Sequence, residues 1–183
     1  MDYTGKLLIA THSLYDSNFR QTVVLVIHGN DEDGVFGVVL NRATGKPIKE
    51  LWENVFHESC ATERVLYLGG PVSGPLVALH SCEELSELEI VPGVHFTRNK
   101  ADLDELTTDA NGPFRFFVGN SGWGEGQLAM EIKEGAWYVV EATRELVFFD
   151  DTEIWSKMIE QVGRSMLGEI LHTDRLPDDP GVN

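Results

Sequence analysis

An apolar run, Phe114 to Val118, ends in the stretch Gly119-Asn-Ser-Gly-Trp-Gly-Glu-Gly-Gln-Leu128. Four of the eight residues from Gly119 to Gly126 are glycine. Glycine loses more backbone freedom on folding than any other residue, so such a loop persists where the chain takes positive φ or passes close to other atoms. Trp123 stands at its centre between two glycines. A strand enters the loop and a helix, over about Glu125 to Glu134, leaves it. Whatever fold the chain adopts has to be arranged around this junction.

The loop fails the phosphate-binding templates. Gly119 and Gly124 have the P-loop spacing, but Glu125 and Gly126 stand where Lys and Ser/Thr are needed. Gly122, Gly124 and Gly126 give G-x-G-x-G, not the dinucleotide G-x-G-x-x-G. Glu125 would also occupy the positive end of the helix dipole. The nucleophile elbow fails too, because Trp123 replaces its last glycine, which leaves Ser121 as a turn residue. The glycines beside Trp123 let a large ring fold back onto the sheet. The indole is therefore expected to be buried, its N–H bonded to Asn120 or a backbone carbonyl.

The rest of the chain alternates short strands, turns and a few helices. Lys6–Ala10, Gln21–His28, Val35–Leu40, Val65–Leu68, Leu76–His80, Val94–Thr97 and Ala136–Val140 have the apolar pattern of strands. Leu146–Phe149 is expected to add another. Gly37 implies a bulge or a close backbone approach. Ile48, Leu51, Trp52, Val55 and Phe56 fall at helical spacing after Pro47. Asn99 and Asp150 read as N-caps of further helices. The four acids in Glu83–Glu89 suggest a solvated loop, and Arg164–Leu171 a last separate helix. The pattern is α+β, with a mixed, largely antiparallel sheet flanked by helices and strongly bent at Gly37 and Gly69-Gly70. Residues 1–175 are expected to form a single domain, and 176–183 a disordered acidic tail.

The net charge is −16, and residues 50–183 account for it with twenty-five acids against nine bases. Such a surface argues against direct binding of nucleic acid. No apolar run approaches the length of a membrane span, so no membrane partner is expected. Two cysteines without C-x-x-C spacing fit a reduced, cytoplasmic protein. No H-x-x-H, H-E-x-x-H or Cys/His cluster occurs, so neither a metal nor a cofactor is expected, although His28 and His80 each end a strand and could meet.

The series Leu7-Leu-Ile-Ala10, Asp16 to Arg20, Asn41-Arg42, Gly69-Gly-Pro-Val72, Leu79-His80, Gly122-Trp-Gly-Glu-Gly-Gln-Leu128, Glu131, Ala136-Trp137 and Trp155 resembles the AlgH/YqgE family of bacterial proteins, over about residues 5–163. The resemblance implies a single α+β domain with a bent sheet closing toward a barrel, in a bacterial cytoplasm. The family name comes from a proposed regulator of alginate synthesis, sometimes described as transcriptional. No catalytic residue is carried over from it.

The polar members of this series, with the tryptophan, form the candidate cleft: Asp16, Asn18, Arg20, His28, Asn41, Arg42, His80, Asn120, Trp123, Glu125, Gln127 and Glu131. Acid, amide and arginine together can hold a carboxylate, an amide or a peptide backbone. A buried network bracing the glycine loop accounts for the same residues. Three functions follow. The first is a non-enzymatic binding or regulatory module with an unknown protein or small polar ligand as partner. The second is an enzyme for a small polar substrate using Glu125 or Glu131. The third is a transcriptional regulator.

Overall fold

The structure is a computed structural model that describes residues 1–60, 62–109, 112–149 and 152–171. The expected Asp150 cap and the 176–183 tail lie outside these residues. Strands β1 (Lys6–Ala10), β2 (Val23–Asn30) and β3 (Gly34–Val39) come first. β4 (Ala43–Pro47) leads into α1 (Ile48–Leu51), which loosens into a π-helical turn over Trp52–Phe56. β5 (Val65–Leu68), β6 (Val77–His80), β7 (Leu88–Val91) and β8 (Val94–Thr97) follow, then α2 (Lys100–Asp109). β9 (Phe114–Val118) and β10 (Ser121–Trp123) flank Gly119-Asn120. The chain ends with α3 (Gln127–Lys133), β11 (Trp137–Glu141), α4 (Arg144–Val147) and α5 (Ile154–Leu171).

The strands form two sheets, so the expectation of one sheet closing toward a barrel is corrected. One has the order β10-β3-β2-β1-β11, the other β4-β5-β9-β6-β8-β7. All named pairings are antiparallel except β5 with β9. β10 and β11 are the two edges of the first sheet and pair only with β3 and β1. No closure by backbone hydrogen bonds follows.

The sheets meet at the glycine loop. The Gly69 carbonyl accepts from Val39 N at 2.8 Å and from Ser121 Oγ at 3.0 Å, while Gly69 N donates to Val118 O. A Cβ on Gly69 would fall 2.4 Å from the Gly119 oxygen, and one on Gly70 2.3 Å from the Asn120 oxygen. No side chain fits between these two backbones. Gly119 also has φ +69°, which glycine alone adopts at little cost. Gly37 likewise abuts the Leu25 oxygen, where a Cβ would lie at 2.5 Å. Opposite it the register shifts between Val26 and His28, which puts Ile27 inside and His28 in solvent.

Alternation along β9 divides the interior. Phe114 and Phe116 point to a core with Trp52, Leu103 and Leu106 under α1 and α2. Phe117 points to the larger core shared with the first sheet and α5. β2 is buried along Val23–Ile27, as a central strand should be. No helix among the described residues is long and apolar enough to cross a membrane.

Three local expectations change. Residues 144–147 are helix, because the Thr143 hydroxyl accepts from Leu146 N and caps a turn. Glu83–Leu85 is a 3-10 turn that buries Leu85 in the second core, not a solvated loop. α5 runs unbroken through Gly163, which lacks the positive φ that ends helices.

His80 is wholly buried, stacked on His95 at 5.9 Å, and neither ring nitrogen has a hydrogen-bond partner among the described residues. Burial first, and then the His95 charge, lower its pKa to about 4; the backbone at Cys82 and the Asp102 carboxylate pull the other way. A histidine kept neutral by the fold binds its proton in the unfolded chain first. Stability from this group is therefore complete above pH 6.5 and falls as pH drops toward 4. The loss across that window is on the order of 3 kcal/mol. Urea unfolding at the two ends should show it, and His80→Phe should flatten it. An unchanged pH dependence in the variant would contradict this assignment.

Candidate functional site

The glycine loop is held by a single carboxylate. Trp123 Nε1, on edge strand β10, donates to Glu131 Oε2 at 2.9 Å. Trp137 Nε1, on the opposite edge strand β11, donates to the same oxygen at 2.8 Å. Gln127 Nε2 donates to Glu131 Oε1 at 2.9 Å, and Gln127 Oε1 accepts from Gly124 N at 3.0 Å. Phe19 stacks on Trp123 at 5.6 Å and meets Trp137 edge-on at 5.5 Å. The two indoles lie 5.9 Å apart, nearly perpendicular.

Local sequence sets this up. Gly126, at φ +66°, turns the chain so that α3 starts at Gln127, two residues later than expected. Gln127 and Glu131 are then i and i+4 on one helix face. Trp123 is buried, as expected, but its acceptor is Glu131, eight residues on, instead of Asn120 or a backbone carbonyl. Asn120 joins Val72 through two backbone hydrogen bonds.

Asn41 is also structural. Its side chain accepts from Val23 N at 3.0 Å and donates to the Gln21 carbonyl at 2.9 Å, which pins the 16–22 turn to β2. Asp16 accepts from Asn18 N at 2.8 Å, and its carbonyl from Arg20 N, so the Asp16–Arg20 relation runs through backbone and not through an ion pair. His28 is exposed on the first sheet and His80 is buried beside His95 in the second, so the two do not pair. Glu125 is exposed beyond the loop. The twelve candidates therefore do not form one cleft at the glycine loop.

The surface members nearest one another are Asn18 and Arg20, both exposed, and the half-buried Arg42. Arg42 lines two adjoining hollows. One, of about 90 Å³, also has Ser17, Asn18 and Gly70 in its wall. The other, of about 360 Å³, has Arg20, Gln21, Glu153 and Ser156. Arg42 donates to the Arg20 carbonyl at 3.0 Å, which ties the floor of the cleft together. A hollow of 360 Å³ falls in the range of small-molecule sites.

Beside it lies a group that sequence reasoning missed. Arg115 is buried in the middle of β9, donating to the Leu40 and Phe149 carbonyls, its guanidinium 5.1 Å from the Tyr67 ring. An arginine inside Phe-Arg-Phe-Phe was the available signal. Its apolar neighbours marked a core strand and masked the charge. Among the described residues no cluster of His, Cys, Asp and Glu could hold a metal.

Comparison with known proteins fits this architecture. The sequence model of the AlgH-like family matches residues 7–167. A "UPF0301 protein" of Chlorobium limicola is 38% identical over 189 residues, covering 98% of this chain and 95% of that one. One from Streptomyces coelicolor is 34% identical over 200 residues, with the same coverage. The chain belongs to the AlgH-like family. Its fold is similar to the solution structure of the AlgH protein from Pseudomonas aeruginosa, with TM-score 0.73, 24% identity, and 98% and 97% of the two chains covered. A crystal structure from Corynebacterium diphtheriae gives TM-score 0.69 at 24% identity, over 87% and 86% of the chains.

The brace predicts how variants behave. Trp123→Ala should cost on the order of 3–5 kcal/mol, since it empties a core site and breaks a charge-assisted bond. Gln127→Ala, on an exposed side chain, should cost about 0.5–1.5 kcal/mol. Chemical denaturation of both decides. A Trp123→Ala protein as stable as the parent would show that the loop is not braced through this ring.

Proposed function

We propose that this AlgH-like protein is a non-enzymatic binding module of the bacterial cytoplasm, with a regulatory role, that takes a small polar ligand in the cleft lined by Arg20 and Arg42. One observation carries the reading. The polar candidates divide into those spent on the brace, such as Gln127 and Glu131, and those that line a hollow, namely Asn18, Arg20, Arg42 and the scaffold residue Asn41. Residues at a turn on a rigid sheet are the usual place for recognition.

The enzyme alternative draws little support. The Glu131 carboxylate already accepts from three donors, two of them at the same oxygen. It would have to give up the brace to serve as a base. Glu125 stands exposed outside the cleft. Direct contact with DNA as a transcriptional regulator is opposed by the net charge of −16. Cys60 and Cys82 are both free thiols, which suits a reducing compartment.

Native mass spectrometry of the protein isolated from a bacterial extract tests the proposal. The parent should carry a noncovalent small-molecule adduct that is recovered chemically unchanged. Arg42→Gln should lose it while unfolding within about 1 kcal/mol of the parent. An adduct retained in full by Arg42→Gln, or one recovered as a reaction product, would contradict the reading.

A further inference from the structure

In a chain with thirty acids and fourteen bases, most cations should find a carboxylate. Lys6, Lys46, Lys49, Arg98, Lys100 and Arg164 each do. Lys133 and Arg144 do not, and neither do Arg20, Arg42 and Arg64: no carboxylate among the described residues lies within ion-pair distance of the last three. Arg42 donates to the Arg20 carbonyl, and Arg64 to the carbonyls of Phe114 and Gly112. Carbonyl acceptors orient a guanidinium without neutralising it.

These arginines lie along one groove. The hollow with Arg20 and Arg42 shares Asn41 and Thr152 with a narrow one, of about 40 Å³, floored by Arg115 and Tyr67. That in turn shares Arg115 and Tyr67 with a third, of about 560 Å³, that holds Arg64 and Phe114. Four of the eight arginines of the chain therefore line three connected hollows. Glu63, at the far end, is already paired with Lys49. Glu153 is the other described carboxylate in the wall.

Resting on the cleft reading above, we infer that the ligand is a small anion, carrying phosphate or carboxylate groups, held by the guanidinium groups of Arg20, Arg42 and Arg64 along this groove. The planar fork of arginine matches both oxyanions and holds either through paired donors. The protein's negative field sets the size. An anion seated within the groove feels the local arginines, while charge more than about 8 Å away is screened at physiological salt. A long polyanion would leave the groove and meet the acidic surface. Tyr67, half-buried and shared by two of the hollows, gives an organic body an aromatic wall to lie against.

NMR titration of the full chain with pyrophosphate, citrate, an uncharged fragment mixture and a DNA duplex tests the inference. Pyrophosphate or citrate should shift the amides of residues 20–21, 41–42, 64–67 and 115, and the tighter of the two separates phosphate from carboxylate. Arg42→Gln and Arg64→Gln should each weaken binding by roughly tenfold. Arg20→Gln, whose side chain makes no described bond, should do the same without touching the fold. Arg98→Gln, taken from an ion pair outside the groove, should change nothing. No shift with either anion at millimolar concentration, equal weakening by Arg98→Gln, or tighter binding of the duplex would overturn the inference. If uncharged fragments bind beside Arg42 and the anions do not, the cleft stands and the anionic ligand falls. If nothing binds, both fall.

Discussion

One carboxylate joins the two edges of a five-stranded sheet. Glu131, on the short helix α3, accepts an indole N–H from β10 and another from β11, strands that share no backbone hydrogen bond. The sheet has to curl for both edges to reach the same oxygen. Phe19 fills the space between the rings, so the join is packed as well as hydrogen-bonded. A hydrogen bond to a charged acceptor contributes about 1.5–3 kcal/mol, more than a neutral pair. Loss of the acceptor would leave two indole donors without it in a largely buried cluster.

The second constraint is the pair of crossing backbones at Gly69-Gly70 and Gly119-Asn120. There the chain leaves β9 of one sheet and enters β10 of the other within two residues. No side chain fits at the crossing, which accounts for the glycines on both sides. The glycine loop is thus a passage between sheets with a tryptophan clasp beyond it. Its density of glycine serves geometry, and the arginine-lined hollows lie elsewhere, beside the turn pinned by Asn41 and along β5 and β9.

Much of this was legible in local pattern. Apolar runs marked most strands, Gly37 announced a close backbone approach, and the flanking glycines forecast a buried Trp123. Three things were not. The division into two sheets depends on which strands pair, and the β5–β9 parallel pairing joins segments some fifty residues apart. The acceptor for Trp123 depends on where Gly126 lets α3 begin, and an αL residue at a helix start leaves little trace in periodicity. The groove depends on Arg64 and Arg115, which look ordinary in sequence because the stacking of Arg64 on Phe114 and the burial of Arg115 appear only once the strands are paired. Residues 144–147 add a fourth: Thr143 caps a helical turn there, but the apolar Leu-Val-Phe-Phe reads more readily as a strand.

Glu131 couples the two sheet edges, and a double-mutant cycle measures that coupling directly. Trp123→Phe and Trp137→Phe each remove one indole donor and keep an aromatic ring. With chemical denaturation as the readout, each should destabilise the protein, and the cost of losing both should differ from the sum by about 0.5–3 kcal/mol, because both act through one carboxylate. The same cycle on an Glu131→Ala background should show no such coupling. Additivity within about 0.3–0.5 kcal/mol in the parent would contradict the account, since it would mean that the two edges of the sheet are held independently.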